Sequence, residues 1–145
     1  IFTDKSLFLS GTSDLIRYTL AGSSEVYRIS VYGWKLADSS IGESPILLYQ
    51  QRGGSNSILK LYTVPEGDVG SAAISTVHPP EGALAEFLIK GKLMIYTPTA
   101  AYTYTAGGKL LAVEELPIKI DGAQKLSESH ILLSSGDSLY VSVTR

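Results

Sequence analysis

A hairpin pattern recurs four times along this chain of 145 residues, and it constrains the fold more than any other feature of the sequence. Each copy has an apolar run, a short segment rich in glycine, serine or aspartate, and a second apolar run, as expected for two antiparallel strands joined by a turn. The copies occupy residues 7–19, 46–63, 86–97 and 131–144. Their starts are separated by 39, 40 and 45 residues, a period that is typical of stacked supersecondary units.

Turns within these hairpins are predicted where glycine, aspartate and serine interrupt the apolar runs. The predicted turn segments are 12–14, 53–56, Gly91 and 136–137. Further strands are predicted at 25–32, 71–77, 102–113 and 116–120, the third of these being a hairpin around Gly107 and Gly108. Residues 81–90 also fit two helical turns, but Gly82 weakens a helix by about 1 kcal/mol, and a strand from Glu86 is preferred.

A core follows from the apolar positions of the four hairpins. We expect ten side chains to be mostly buried: Leu9, Leu15, Leu47, Leu59, Leu61, Leu88, Leu93, Ile95, Leu132 and Val141. Trp34, next to Tyr32 and Gly33, is interpreted as a large core residue in preference to an exposed binding aromatic.

Composition excludes several classes of partner. The net charge is −2, only 18% of residues are charged, and acidic and basic residues are interspersed, so neither nucleic acid nor an anionic membrane surface is expected. The apolar runs are too short to insert into a bilayer. Cysteine is absent, which excludes disulfides and thiolate sites without choosing between a cytoplasmic and an extracellular location. The chain begins at Ile1 and not at Met, which predicts a processed or trimmed N-terminus.

Thermolabile side chains are rare, with one asparagine, three glutamines and one methionine. This depletion suits a thermophilic source, although the enrichment in charged residues that usually accompanies it is missing. Codon bias in a GC-rich genome gives the same pattern.

No catalytic, cofactor-binding or metal-ligating residue is predicted, and the protein is not expected to be an enzyme. His78 and His130 are interpreted as loop residues, because a metal site through both requires two distant segments to meet. No Gly-x-Ser-x-Gly nucleophile elbow occurs, and the glycine-rich segments lack the spacing of a phosphate-binding loop. Glu114 and Glu115 point to opposite faces if they lie on a strand, so they form no acid–base pair.

The hairpins at 7–20, 46–64 and 131–144 resemble the inner hairpin of a β-propeller blade of the WD40 or quinoprotein-like kind. The Trp-Asp and Gly-His pairs of WD40 blades are missing, so the resemblance lies in generic residues. It implies an all-β, propeller-like fold in which residues 1–145 form a single unit of about three and a half repeats. Such a unit is either a compact four-bladed ring or a segment of a larger propeller. The alternative architecture is a β-sandwich of eight to ten strands.

The resemblance favours a non-catalytic module for protein binding or assembly. Its expected partner is another protein, or further copies of the same chain, joined through strand edges because an open arc of blades leaves such edges unpaired. The alternative function is an extracellular structural subunit, a β-sandwich that joins its neighbours by strand addition.

Overall fold

The computed structural model describes residues 6–20, 25–40, 45–51, 58–63 and 73–144, and the regular elements in these ranges are all β-strands. Within these ranges, no helix is long and apolar enough to cross a membrane. Because all the described elements are strands, the all-β class predicted from the hairpin pattern is confirmed.

The strands form four antiparallel sheets that follow one another along the chain. Sheet 1 contains β1 (Ser6–Ser10), β2 (Asp14–Thr19) and β3 (Glu25–Ser30). Sheet 2 contains β4 (Trp34–Ser40), β5 (Ile46–Gln51), β6 (Leu59–Thr63) and β7 (Ala73–Val77). Sheet 3 contains β8 (Ala85–Ile89), β9 (Lys92–Tyr96), β10 (Ala100–Tyr104) and β11 (Leu110–Glu115). Sheet 4 contains β12 (Gly122–Lys125), β13 (His130–Ser135) and β14 (Ser138–Val143).

The four predicted hairpins occupy two different places in their sheets. Phe8 pairs with Arg17, Leu48 pairs with Leu61, and Leu132 pairs with Val141. In sheets 2 and 4 these hairpins are the second and third strands of the sheet. In sheet 1, β1 and β2 are the first and second of the described strands.

The hairpin at 86–97 does not occupy the place of the hairpins at 46–63 and 131–144, so the equivalence of the four hairpins was wrong. Its strands β8 and β9 are the first and second strands of sheet 3, so the middle pair of that sheet is β9–β10. Lys90 and Gly91 join the strands, and both have positive φ angles, 49° and 74°, as a type I′ turn requires. Such a turn fixes local pairing but carries no information about the position of the hairpin in a sheet.

Apolar clusters fill the space between each sheet and the next. The first cluster joins sheets 1 and 2 and contains Phe8, Leu15, Val31, Leu47, Tyr49 and Tyr62. The second joins sheets 2 and 3 and contains Ile46, Leu48, Leu59, Leu61, Val77, Leu88, Leu93, Ile95 and Tyr104. The third joins sheets 3 and 4 and contains Phe87, Ile89, Tyr96, Ala101, Ile120, Ile131 and Leu133.

The continuous apolar run of β5 follows from this stacking. Ile46 and Leu48 face sheet 3, whereas Leu47 and Tyr49 face sheet 1, because successive side chains of a strand point to opposite faces. A strand between two stacked sheets is buried on both faces, so it needs apolar residues at every position and not at alternate ones.

The first strands of the sheets lie on one side of the stack. β8 contacts both β4 and β12, whereas all six residues of β11, the fourth strand of sheet 3, are exposed. The first strands therefore line the inner side of an arc and the fourth strands its outer side, as in propeller blades. Among the described residues, no apolar cluster joins sheet 4 to sheet 1, so the described strands form an open arc.

Seven of the ten predicted core residues are fully buried. Leu132 is half-buried, and the prediction is wrong for Leu9 and Val141, whose exposed fractions are 47% and 58%. Leu9 and Val141 lie on the outward faces of sheets 1 and 4, where no described sheet packs against them. Trp34 is half-buried against the cluster between sheets 1 and 2, which supports its interpretation as a core residue.

The predicted turns after β1, β8 and β13 are confirmed, as is the hairpin β10–β11 with Gly108 at a φ of 84°. The turn at 53–56 lies outside the described residues. β3, β7 and β8 confirm the strands predicted at 25–32 and 71–77 and from Glu86.

The strand predicted at 116–120 is wrong, and the strands β4 and β12 were not predicted. Leu116 and Ile120 donate their backbone N–H groups to the carbonyl oxygens of Thr99 and Pro98, so this segment is a loop held against the turn after β9. Its apolar alternation reflects packing of Leu116, Ile118 and Ile120 into the cluster between sheets 3 and 4.

The stacking of the sheets predicts that alanine substitution lowers the free energy of unfolding far more at one leucine than at another of similar sequence context. Leu61→Ala should lower the free energy of unfolding by about 2–5 kcal/mol, because Leu61 lies between sheets 2 and 3. Leu9→Ala is the matched control and should cost less than about 1 kcal/mol, because its side chain is half-exposed. Urea unfolding measures both values, and equal losses would contradict the assignment of the faces.

Candidate protein-binding site

Both histidines are exposed. His130 is the first residue of β13, and its Nδ1 lies 2.7 Å from Ser129 Oγ and 3.2 Å from Ser127 Oγ. Ser127 Oγ also accepts hydrogen bonds from the backbone N–H groups of Ser129 and His130. These hydroxyls therefore close the turn between β12 and β13. Within the described ranges, no three His, Asp or Glu side chains form a group that could hold a metal ion.

The side chain of Asp121 is also held by hydrogen bonds within the fold. Its carboxylate accepts hydrogen bonds from the backbone N–H of Gly136 and from Ser134 Oγ, both at 2.8 Å. These bonds lower the pKa of Asp121, with the Gly136 bond having the largest effect. The side chain thus fastens the loop before β12 to the turn between β13 and β14.

A polar junction holds the inner strands of three sheets together; we call it the inner junction, and it consists of Asp38, Leu88 and Lys125. The Nζ atom of Lys125 in β12 donates to Asp38 Oδ2 in β4 at 2.9 Å and to the carbonyl oxygen of Leu88 in β8 at 2.7 Å. The backbone N–H of Leu88 donates to the same Oδ2 atom at 2.8 Å. One ion pair therefore connects sheets 2, 3 and 4.

The local structure positions both charges of the inner junction. The β4–β5 pairing shifts register between Leu36 and Asp38, and this bulge changes the direction in which the side chains of β4 point. The side chains of Asp38 and Lys125 are only 22% and 20% exposed, and Glu128 lies 3.4 Å from Lys125 Nζ. Sequence reasoning missed the pair because 87 residues separate Asp38 from Lys125.

A second polar contact crosses from sheet 2 to sheet 3. Gln50 Nε2 donates to Glu86 Oε2 at 3.0 Å. Burial raises the pKa of Glu86, and the hydrogen bond from Gln50 opposes part of this shift. Because its carboxylate is partly desolvated and engaged by Gln50, Glu86 contributes to the contact between the sheets.

The largest group of exposed apolar side chains on one strand lies on β14. Leu139, Val141 and Val143 point to the outward face of sheet 4 and are 67%, 58% and 63% exposed. Together with half-buried Leu132, these three residues form what we call the sheet 4 end face. Among the described strands, β14 pairs only with β13, so its other edge presents unpaired backbone groups.

β14 also borders a cleft of about 840 Å³ between sheets 3 and 4, and Val141 and Val143 are among the residues that line it. Tyr140 and Ser142 of β14 form one wall of this cleft, and Met94 and Thr103 of sheet 3 form the other. The edge of β14 thus runs between an apolar face and an open cleft, which is the geometry that a further strand would complete.

The other end of the arc carries a matching apolar surface. Leu7, Leu9, Ile16 and Tyr18 share the outward face of sheet 1, because Leu7 pairs with Tyr18 and Leu9 pairs with Ile16. We call these four residues the sheet 1 end face. Leu9 is exposed and the other three are half-buried, so both ends of the arc present apolar side chains to solvent.

Comparison with solved structures identifies this arrangement of sheets. The chain superposes on BamB from Moraxella catarrhalis with a TM-score of 0.54 at 7% sequence identity, and the match covers 97% of the chain and 40% of BamB. BamB is a β-propeller, so the four sheets have the arrangement of propeller blades. The resemblance inferred from the hairpin pattern is confirmed, and the β-sandwich alternative is not the observed architecture.

A second similar structure is a protein of unknown function from Bacteroides caccae. Its TM-score is 0.46 at 14% identity, and the match covers 92% of the chain and 50% of that protein. The chain therefore spans half or less of each of these two proteins. No protein-family model and no curated protein matches the sequence.

The inner junction predicts a specific loss of stability when one charge is removed. Lys125→Met should lower the free energy of unfolding by about 1–3 kcal/mol, because Asp38 and the Leu88 carbonyl lose a charged donor in a partly buried place. Lys119→Met, which removes an exposed lysine, should change it by less than about 0.5 kcal/mol. Thermal and urea unfolding measure both, and equal effects would contradict a role for the junction.

The raised pKa of Glu86 predicts a pH dependence of stability. The folded state binds this proton more tightly than the unfolded state, so the contribution of Glu86 to stability is largest below its ordinary pKa of 4.5 and is lost as pH rises through the folded value. Glu86→Gln should remove that part of the slope and leave the protein at least as stable at pH 7. Exposed Glu81→Gln is the control, and an unchanged slope in Glu86→Gln would refute the assignment.

Proposed function

We propose that this chain is a non-catalytic module of propeller type that binds protein or assembles with further copies of itself. The propeller-like fold is compatible with this role. The observation that carries the proposal is the state of β14, a strand with one unpaired edge among the described strands and three exposed apolar residues on one face.

The position of β14 in its sheet explains why its edge is suited to binding. The register assigns β14 to the third position, which in sheet 2 belongs to β6. β6 pairs on both edges, with β5 and β7, and the third strand of sheet 3, β10, also pairs on both edges. β14 therefore corresponds to strands that are internal in sheets 2 and 3, although one of its own edges is unpaired among the described strands.

The residues of β14 do nothing to block the addition of a strand. Edge strands are commonly protected by charges, proline or bulges, and β14 from Ser138 to Val143 contains none of these. Addition of an extended segment to such an edge forms main-chain hydrogen bonds, while its alternate side chains contact the neighbouring surfaces. Protein segments with an extended backbone and alternating apolar residues are the chemistry that fits this edge.

The engagement of the charged groups supports the non-catalytic part of the proposal. Asp38 and Lys125 are held by hydrogen bonds between sheets, and Asp121 is held by a turn. Each of these groups has a structural partner that accounts for its position. Their arrangement stabilises the blades and gives no reason to assign them a substrate.

A peptide of this chain tests strand addition at β14. The peptide 109–116 contains β11, the strand that pairs with the third strand of sheet 3, and should bind the full chain saturably in fluorescence anisotropy. Hydrogen exchange should show new protection in β14 and none in β11. N-methylation of alternate residues removes donors on one edge of the peptide, and it defines two matched control peptides: one methylated at Leu110, Ala112 and Glu114, the other at Leu111, Val113 and Glu115.

Strand addition predicts opposite outcomes for the two control peptides. One set of N-methyl groups should weaken binding by more than about tenfold, since several hydrogen bonds of about 1 kcal/mol each are lost, and the other set should leave it nearly unchanged. Absence of saturable binding, equal effects of both sets, or protection outside β14 would each overturn the proposal.

A further inference from the structure

Arg17 is the one charged residue that is buried among the residues that the structure describes, with an exposed fraction of 6%. It lies in β2, two positions after Leu15, and so shares the face of β2 that packs against sheet 2. In β6, which packs against sheet 3, the same spacing joins two leucines, Leu59 and Leu61. Packing between sheets therefore needs no charge at such a position, and the guanidinium of Arg17 requires a separate explanation.

The contacts of the Arg17 guanidinium satisfy only part of it. Its Nε atom donates to Ser6 Oγ at 3.0 Å, and its central carbon lies 6.0 Å from the centroid of the Phe8 ring. Its Nη1 atom is buried and has no hydrogen-bond partner among the described residues. A buried N–H donor without an acceptor is costly, and more so when it belongs to a charged group. The guanidinium therefore has a buried donor that a further acceptor would satisfy.

The carboxylates of sheet 1 do not neutralise Arg17. Asp14 and Glu25 both contact Arg28, at 3.5 Å from its Nη1 and 3.2 Å from its Nε. Across the described part of the chain, no carboxylate oxygen lies within 4.0 Å of the Arg17 guanidinium. Because a guanidinium stays protonated at any ordinary pH, loss of a proton does not remove its charge. The missing group is therefore an anion, since a carbonyl oxygen would accept the hydrogen bond but leave the charge.

Lys125 shows how this fold accommodates another cation that is largely withdrawn from water. Its Nζ atom lies 2.9 Å from Asp38 Oδ2, 3.4 Å from Glu128 Oε1 and 2.7 Å from the carbonyl oxygen of Leu88. The side chain of Lys125 is 20% exposed, so it is more accessible to water than Arg17. The less accessible of the two cations is thus the one that has no described carboxylate.

We infer that Arg17 Nη1 binds a carboxylate that does not belong to the described residues. One negative charge neutralises a single cation among apolar neighbours such as Phe8 and Leu15, which favours a carboxylate over a doubly charged phosphate. The oxygens of a carboxylate also match the planar donor geometry of a guanidinium. A free small carboxylate and a carboxylate of the protein chain supply the same chemistry, and the experiment separates these two sources. The inference concerns the contact between sheets 1 and 2 and is independent of binding at the edge of β14.

Addition of acetate tests the free source. Thermal unfolding of the full chain at pH 7 is followed in sodium acetate and in sodium chloride of equal ionic strength. A free carboxylate predicts that acetate raises the midpoint of unfolding saturably and that chloride does not, because a ligand bound only to the folded state stabilises it. Arg17→Met should weaken the apparent acetate affinity by at least about tenfold, since a hydrogen bond between charged groups is lost. Lys35→Met removes an exposed lysine and is the matched control, with no expected change.

A pH series tests the source within the protein chain. A carboxylate that is already in place predicts that acetate has no effect beyond that of chloride. Pairing with Arg17 lowers the pKa of such a carboxylate, so its contribution to stability is present above an unfolded pKa of about 4 and is lost as pH falls through the folded value. Urea unfolding between pH 7 and pH 3 should therefore show a steeper loss of stability in the wild type than in Arg17→Met. Lys35→Met should retain the wild-type slope.

Equal effects of acetate and chloride, together with equal pH slopes in the wild type and Arg17→Met, would overturn the inference. Arg17→Lys is a second variant in case Arg17→Met does not fold, because it keeps the charge and loses the planar fork. It should weaken the acetate affinity or reduce the pH slope, whichever the wild type shows. An Arg17→Lys chain with unchanged acetate affinity and unchanged slope would also count against a carboxylate at Nη1.

Discussion

Apolar packing between the faces of successive sheets is the interaction on which the rest of this structure depends. The three clusters between the sheets take nearly all of the buried apolar side chains, and they use both faces of the middle strands. This explains why β5 is apolar at consecutive positions. If either neighbouring sheet were removed, a row of large apolar side chains of β5 would be exposed to water.

The inner junction fixes how neighbouring sheets are aligned, which apolar packing alone does not, because apolar packing is non-directional. Apolar faces tolerate sliding, whereas the bonds from Lys125 to Asp38 and to the Leu88 carbonyl fix the relative positions of β4, β8 and β12. Gln50 and Glu86 do the same between sheets 2 and 3. Polar contacts thus set the alignment of the blades, and apolar contacts supply most of the stabilisation.

Sequence patterns predicted the parts of the fold that are local and missed those that depend on position in the stack. Tight turns such as Lys90–Gly91 identify hairpins, because backbone conformation and pairing are decided within a few residues. The same signal placed β8–β9 in the wrong position of its sheet. Leu9 and Val141 have the same pattern as buried Tyr49 and Leu61, and only the absence of a neighbouring described sheet makes them exposed. The inner junction was not predictable, since its partners meet only after three sheets have stacked.

The described strands of the four sheets form an open arc, in which the sheet 1 end face and the sheet 4 end face do not meet. The chain contains no cysteine, so two cysteines introduced at Leu9 and Val141 accept spin labels at these positions alone. The distance between the labels, measured by electron paramagnetic resonance with doubly labelled chains diluted into unlabelled protein, reports on a single copy. The open arc predicts a distance well beyond the ~10 Å that separates packed sheets. A distance near that spacing would show a closed four-sheet ring and would contradict an open arc.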